Sequence, residues 1–384
     1  MSLSPGVRLG DFVIKKMLGR GGMAIVWLAE GRGERVAVKE PILDTAERER
    51  NIKFLRHEGI ILSKVKSDYV CKLYAMYETK EGKVPLLVLE YLDGGSLKEQ
   101  APITDVKKLK NVAYQILYGL SDIHSRGIIH RDIKPSNLMI GGGVVKLVDF
   151  GTAISHQEKV LEVVISPGGY TAPEQLRGVS LFQSDIWSVG ATLVYLYTGK
   201  HPCRYMKKYD CQNPAPGVEI SVEAPSTGDS TLDQFISIAL SPNYRRRFFD
   251  ANEAVAFLDG ALPKGEGLKL KIRTKLFMVK TSEIVVGRSD NPKDDLKIEG
   301  QMLYIYDPNQ YISRRHLHIK EIQGQWYVRD LGSTNGTAIF RDKWVNIWRG
   351  KGVDGPWVKL EDGDIIAIGY DDKKGPYELI GVRL

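Results

Sequence analysis

The sequence predicts an α+β chain made of two unlike units in succession. A series of short, glycine-separated strands gives way to long stretches of helical periodicity. A Gly- and Pro-bearing segment at 259–267 then interrupts the chain, and beyond it the pattern is one of many short strands joined by turns. A chain of 384 residues has room for two or three domains.

Segments 12–17, 25–30 and 35–40 are rich in Val, Ile and aromatic residues and predict three strands. From 46 to about 64 a charged start (Glu47, Arg48, Glu49, Arg50) leads into Ile52, Leu55, Gly59 and Leu62, a spacing of three and four that predicts a helix. Apolar runs at 70–77 and 85–91 complete a sheet-plus-helix lobe. From 106 to about 260 the pattern is mostly helical, with the longest helices expected over 109–124 and 184–199. Segments 268–280, 326–330 and 364–368 read as alternating strands of the all-β unit. The resulting boundaries are a first domain at 7–260, divided into lobes at 7–91 and 92–260, a linker at 261–267, and a second domain at 268–384. So short a linker predicts that the two domains stay close together.

Apolar residues make up 43% of the chain and charged residues 26%, which excludes wholesale disorder. The 39 glycines and 17 prolines follow no period, so fibrous classes are excluded too. Three cysteines (Cys71, Cys203, Cys211) with no metal-ligand spacing predict neither a disulfide framework nor a zinc site, and favour a reducing cytoplasm. No apolar run reaches the roughly 18–20 residues of a membrane span, and the start of the chain lacks a basic region followed by an apolar one. A soluble, unprocessed cytoplasmic protein is expected. The net charge of +7 is spread over both parts without a basic block, so nucleic acid is not an expected partner.

Residues 18–26 (Leu-Gly-Arg-Gly-Gly-Met-Ala-Ile-Val) form a glycine-rich turn between two strands, where backbone N–H groups can approach phosphate oxygens. Lys39 follows the next strand. His130-Arg131-Asp132-Ile133-Lys134-Pro135-Ser136-Asn137 places an acid, a base and an amide in one loop, and Asp149-Phe150-Gly151 follows a further strand. Phosphoryl transfer needs these parts: a carboxylate for the attacking hydroxyl, oxygen ligands for metal ions, and a lysine on the phosphates.

This set resembles that of eukaryotic-type serine/threonine protein kinases over residues 7–259. The resemblance implies a bilobal protein-kinase fold that binds ATP with Mg²⁺, or Mn²⁺ as an alternative. It implies Lys39 on the α- and β-phosphates, Glu58 paired to Lys39, Asp132 as catalytic base, Lys134 on the γ-phosphate, and Asn137 and Asp149 on the metal. Gly19 and Gly21 would approach the phosphates. Glu90 and Leu92 would bond adenine through their backbone behind the gatekeeper Leu89, with Val26, Ala37 and Leu138 on the ring faces. Lys134 two residues after Asp132 is the serine/threonine form of the loop. Ala172-Pro173-Glu174 would close the activation segment, Glu174 pairing with Arg245, and Asp185 would brace the catalytic loop.

Two departures from the family pattern are visible. Ala24 stands for the third glycine of the phosphate loop, as it does in bacterial relatives. Pro167 falls where the family has a threonine that contacts the catalytic aspartate, and Ser166 is expected to take over after a one-residue shift. The apolar run 160–165 predicts an activation segment ordered by packing, with Glu158 or Glu162 partnering Arg131.

In the β-rich unit, guanidinium, hydroxyl and amide groups recur on turns at Val286-Gly287-Arg288-Ser289, Ile312-Ser313-Arg314-Arg315-His316 and Asp330-Leu331-Gly332-Ser333-Thr334-Asn335-Gly336-Thr337. These are the groups a phosphate demands. In this order, with 360–369 near the end, they resemble a forkhead-associated (FHA) domain. That resemblance implies an eleven-stranded sandwich binding phosphothreonine through Arg288, Ser313, Arg314 and Thr334, with Asn335 on the peptide backbone and His316 tying loops together. The stretch 291–311 is longer than the family needs. Expected partners are proteins phosphorylated on Ser or Thr, phosphothreonine-bearing proteins recruited as substrates or regulators, and a second copy of the chain.

Overall fold

The computed structural model describes residues 3–79, 83–156, 165–208, 220–262, 267–348, 350, 352–370 and 375–384. The expected apolar packing of 160–164, the roles of Glu158 and Glu162, and most of the 261–267 linker lie outside the described residues; Ile165, the last of the apolar run, is described and stands 47% exposed, against the expected packing.

The N-terminal lobe is a six-stranded antiparallel sheet in the order Arg8–Leu9, Phe12–Arg20, Ala24–Gly31, Glu34–Pro41, Pro85–Glu90, Leu73–Glu78. Helix Arg48–Ser63 packs on it through Ile52, Leu55, Glu58, Gly59 and Leu62, the three-four spacing read from the sequence. The C-terminal lobe is built around helices Val106–His124 and Phe182–Thr198. Val106–His124 buries Leu109, Val112, Ala113, Ile116, Leu117, Leu120 and Ile123, a stripe one face wide. Asp105, Asp229 and Asp250 each begin a helix by accepting a backbone N–H, which satisfies donors the first turn leaves open.

The second domain consists of two six-stranded sheets. One runs Lys275–Met278, Lys269–Ile272, Glu378–Arg383, Ile365–Ile368, Thr337–Arg341, Lys343–Trp348. The other runs Lys297–Glu299, Met302–Tyr306, Glu283–Ser289, Leu317–Ile322, Gln325–Asp330, Val358–Lys359. Twelve strands are therefore present among the described residues instead of the expected eleven. The added length at 291–311 folds back on itself, Lys297–Glu299 pairing antiparallel with Met302–Tyr306, and so supplies an extra edge strand.

Within the first sheet, strands Thr337–Arg341, Ile365–Ile368 and Glu378–Arg383 are buried on both faces. Ile339, Ile366, Ile368, Ile380 and Val382 enter the core of the second domain. Their alternate neighbours Ala338, Phe340, Ile365, Ala367 and Leu379 pack with Ile129, Phe182, Tyr244 and Phe249 of the C-terminal lobe in one apolar cluster. Segment 365–368 is consequently a continuous buried run, not the alternating strand read from the sequence, because each face meets a different partner. Two glycines permit the approach: a Cβ on Gly381 would stand 2.4 Å from the Phe249 ring, and one on Gly363 2.3 Å from Arg245 Cβ.

Among the described residues, no helix is long and apolar enough to cross a membrane. Cys203 is disulfide-bonded, contrary to the expectation of unpaired cysteines, while Cys71 is free and buried. Spacing along the chain carries no pairing information when the fold decides which thiols meet.

Candidate active site and phosphate-reading loops

Strands Phe12–Arg20 and Ala24–Gly31 form a hairpin whose turn carries Gly21 and Gly22, closed by a Gly21 N–H donating to Ala24 O at 2.9 Å. Val26 lies opposite Lys39 in the next strand pair, so the turn and the lysine share one end of the sheet. Helix Arg48–Ser63 delivers Glu58, 2% exposed, to Lys39 Nζ at 2.7 and 2.9 Å. Asp149 Oδ1 lies 3.1 Å from the same ammonium. Burial alone would lower the lysine pKa, but the Asp149 and Glu58 charges outweigh it and hold Lys39 above its ordinary value. Burial raises the Glu58 pKa despite Lys39, and the Lys39 charge lowers that of Asp149.

The catalytic-loop candidates converge on Asp132. Its Oδ2 accepts from Lys134 Nζ at 2.8 Å and Asn137 Nδ2 at 2.9 Å, and its Oδ1 accepts from the Ser166 hydroxyl. Ser166 also lies 3.4 Å from Lys134 Nζ and takes Thr171 Oγ1 on its backbone N–H at 2.7 Å. Arg131 and Asp149 hold φ near +71° and +65°, a strained region for residues with a side chain. The loop is over-determined around Arg131: Asp185, fully buried, accepts from the N–H groups of His130 and Arg131 at 2.8 Å each and from His124 Nε2 at 3.0 Å.

The adenine-facing candidates line the rear of the same cleft. Ala37, Leu89, Leu92 and Leu138 are buried, and Val26 packs against the same apolar cluster. Glu90 turns its carboxylate away, to Lys146 at 3.1 Å and the Lys72 N–H at 3.2 Å, which anchors this connecting strand end.

Asn137 and Asp149 suit a hard divalent cation. The Asn137 amide nitrogen is tied to Asp132, so its oxygen is the group left to coordinate, and the Asp149 side chain is half-exposed. Among the described residues no three His, Cys, Asp or Glu side chains gather as a self-sufficient metal cage. A two-residue oxygen set completed by phosphate oxygens and water is the arrangement a small hard ion such as Mg²⁺ takes.

One expected pair is corrected. Glu174 pairs with Arg247, at 2.7 and 3.0 Å, and not with Arg245, whose Nη1 reaches Glu361 of the second domain at 2.8 Å. The segment 244–248 carries three consecutive arginines, and the short helix Tyr244–Arg246 turns only the third of them inward, beneath Trp187. Gln175 was not singled out from the sequence: its Nε2 donates to Arg131 O at 3.2 Å and its Oε1 accepts the Ala172 N–H at 2.9 Å.

In the second domain three loops meet at one end of the sandwich. Ser313 Oγ accepts the Thr334 N–H at 3.1 Å, and Asn335 Nδ2 donates to Tyr311 O at 2.9 Å. His316, fully buried, accepts the Ser313 N–H on Nδ1 at 3.1 Å and donates from Nε2 to Gly336 O at 3.0 Å. Burial lowers its pKa and suits this neutral, one-donor form. Asp330 gathers Ser333 and Thr337 on its carboxylate, a hub the motif reading overlooked. Arg288 and Arg314 point to the same place, and Asp290 lies between them, 2.8 Å from Arg288 Nε and 3.6 Å from Arg314 Nη2. Arg288 Nε is buried and makes no aligned hydrogen bond.

A family model described as protein kinase domain matches residues 12–256, and one described as FHA domain matches 284–369. A protein named serine/threonine-protein kinases drp72, from Corynebacterium efficiens, is 29% identical over 260 residues, covering 63% of this chain and 49% of its own length. Serine/threonine-protein kinase D of Synechocystis sp. is 30% identical over 303 residues, 73% of this chain and 58% of its own. Serine/threonine-protein kinase PrkC of Bacillus subtilis is 34% identical over 208 residues, 50% of this chain and 31% of its own. The chain thus spans about half or less of the length of most of these relatives.

Proposed function

The chain belongs to the protein kinase family and carries an FHA domain, and from that premise we propose that it transfers the γ-phosphate of ATP to serine or threonine hydroxyls of proteins while reading phosphothreonine with its second domain. The observation that carries the first half is the convergence on one cleft of Lys39, Glu58 and Asp149 with Asp132, Lys134, Asn137 and Ser166. Asp132 accepts the proton of the acceptor hydroxyl as its oxygen bonds to the γ-phosphorus and the bond to the β-phosphate oxygen breaks, releasing ADP. Lys39 holds the α- and β-phosphates and is itself held by Glu58; Lys134 takes the γ-phosphate. Asn137 and Asp149 would hold Mg²⁺, which neutralises charge on the phosphate oxygens when bound. The backbone of Glu90 and Leu92 would bond adenine between Val26, Ala37 and Leu138, with Gly19 and Gly21 over the phosphates.

In the second domain, Arg288, Ser313, Arg314 and Thr334 would bind the phosphate and Asn335 the peptide backbone. The guanidinium pair now facing Asp290 supports this reading, since two arginines around one carboxylate have the charge and donors a phosphate requires. We take the domains as 7–260 and 268–384, joined by 261–267, a division supported by separate apolar cores and by the matched spans. Dependence on ATP supports a cytoplasmic location.

Two measurements test the proposal. Labelled phosphate from γ-labelled ATP should enter casein with the wild type and not with Asp132→Asn; no transfer by the wild type would reject the kinase reading. A phosphothreonine peptide library should bind the full chain, its unphosphorylated counterpart should not, and Arg288→Ala should abolish the difference.

A further inference from the structure

Beneath the apolar contact between the domains lie two polar clamps, both closing on segment 245–250 of the kinase domain. Arg383 donates from Nη1 to the backbone carbonyl of Arg245 and from Nη2 to that of Arg247, and stands 3.5 Å from Glu253. Lys271, 2% exposed, reaches Asp250 at 3.1 Å. Asp250 in turn starts helix Ala251–Leu258 by accepting the Glu253 N–H. Lys271 and Arg383 alternate with Leu270, Ile272 and Val382, so the strand period that fills the core of the second domain also aims these cations at the first.

The clamped segment has little structure of its own, a single short turn at Tyr244–Arg246, yet it carries Arg247. That guanidinium is fully buried and spends its donors on Glu174, Ser241 O, Gln183 O and Pro242 O. Glu174 closes the segment 166–175, in which Ser166 touches Asp132 and Gln175 touches the carbonyl of Arg131. Hydrogen bonds joined by short stretches of backbone, from Arg247 O to its own guanidinium and from Glu174 to Gln175, therefore connect the second domain to the loop that carries Asp132.

We propose that Arg383 and Lys271 are positioning residues for phosphoryl transfer: acting from the second domain, they fix segment 245–250 and, through Arg247 and Glu174, hold segment 166–175 against the catalytic loop. The proposal rests on the kinase reading given above. The second domain is on this account part of the machinery that presents the protein acceptor, besides being a reader of phosphate.

The test uses the full chain as wild type, Arg383→Ala, Lys271→Met and Arg383→Lys, with two readouts. Amide hydrogen exchange without nucleotide should be about tenfold faster over 166–175 in Arg383→Ala and Lys271→Met, with 106–124 unchanged, since only the local opening equilibrium shifts. With ATP and casein, the same variants should raise KM for casein about tenfold and leave KM for ATP unchanged, because the displaced segment meets the acceptor and not the nucleotide. Arg383→Lys, which keeps the charge and donors, should recover part of both effects. Unchanged exchange over 166–175 overturns the proposal, as does a fall in kcat with both KM values unchanged, the signature of a smaller folded fraction. Absence of transfer to casein by the wild type would reject the kinase reading, and exchange would still decide the positioning role.

Discussion

Arg247 and Glu174 form an ion pair from which water is excluded, the two side chains being 0% and 1% exposed and joined by two bonds of 2.7 and 3.0 Å. Arg245, two residues earlier, bonds a half-exposed Glu361 across the domain boundary. The two arginines therefore do different work. Removing Arg247 strands a buried carboxylate, and Arg247→Ala should cost about 3–5 kcal/mol of kinase-domain stability in urea denaturation. Arg245→Ala removes a partly solvated pair and should cost below about 1 kcal/mol in the same experiment. Equal losses would contradict the pairing.

Ser166 donates to Asp132 and receives Lys134 nearby, so its hydroxyl helps aim the base. Hydrogen bonds to charged groups contribute about 1.5–3 kcal/mol, and Ser166→Ala should therefore lower kcat/KM for a protein acceptor roughly ten- to a hundredfold. Ser166→Thr keeps the hydroxyl and should retain most of the activity. Steady-state assays on casein with both variants decide the matter.

Asp290 stands where it competes with an incoming phosphate for Arg288 and Arg314. Asp290→Asn removes the competing charge and should tighten phosphothreonine-peptide binding by about three- to tenfold at low salt, with a smaller gain at high salt because exposed charges are screened. Calorimetric titration at two ionic strengths measures both effects; weaker binding would show that Asp290 orients the arginines instead.

His316 is buried as a neutral ring, its pKa below the ordinary 6.5. The unfolded chain takes up the proton first as pH falls, so the stabilisation is present above about pH 6.5 and declines below it until the folded-state pKa is passed. Denaturation of the second domain followed from pH 7.5 to 5 should show this decline, and His316→Gln should flatten it.

Gly381 has no room for a side chain against Phe249. Gly381→Ala should cost about 1–3 kcal/mol at the domain contact, the usual penalty of overpacking. Calorimetry should show one joint transition in the wild type and two separate ones in the variant. A single unshifted transition would show that this contact does not contribute to the joint unfolding.

Much of the fold was legible because it rests on local pattern. Helix Val106–His124 and helix Phe182–Thr198 start two to three residues before the apolar stripes that announced them, where Asp105 and the Leu181–Ser184 turn set their first turns. The motif residues Lys39, Asp132, Asn137 and Asp149 stood out by their order along the chain. Arg247 did not, because three adjacent arginines look alike until the turn at 244–246 selects the one that points inward. The twelfth strand was hidden in a polar insertion whose pairing depends on where Met302–Tyr306 lies. The run Ile365–Ile368 carried a local sign of the domain contact beneath its expected alternation: four apolar residues in a row signal a strand covered on both faces.

The sequence by itself determined the two domain types and the residues equipped for phosphate chemistry, since residue type, order and period are local properties. Only the tertiary structure decided that Arg247 answers Glu174, that Ser166 reaches Asp132, and that Lys271 and Arg383 close on the kinase domain. Those pairings join residues 21 to 138 positions apart, and burial of charge in a packed interior selects one partner among several that the chain offers equally.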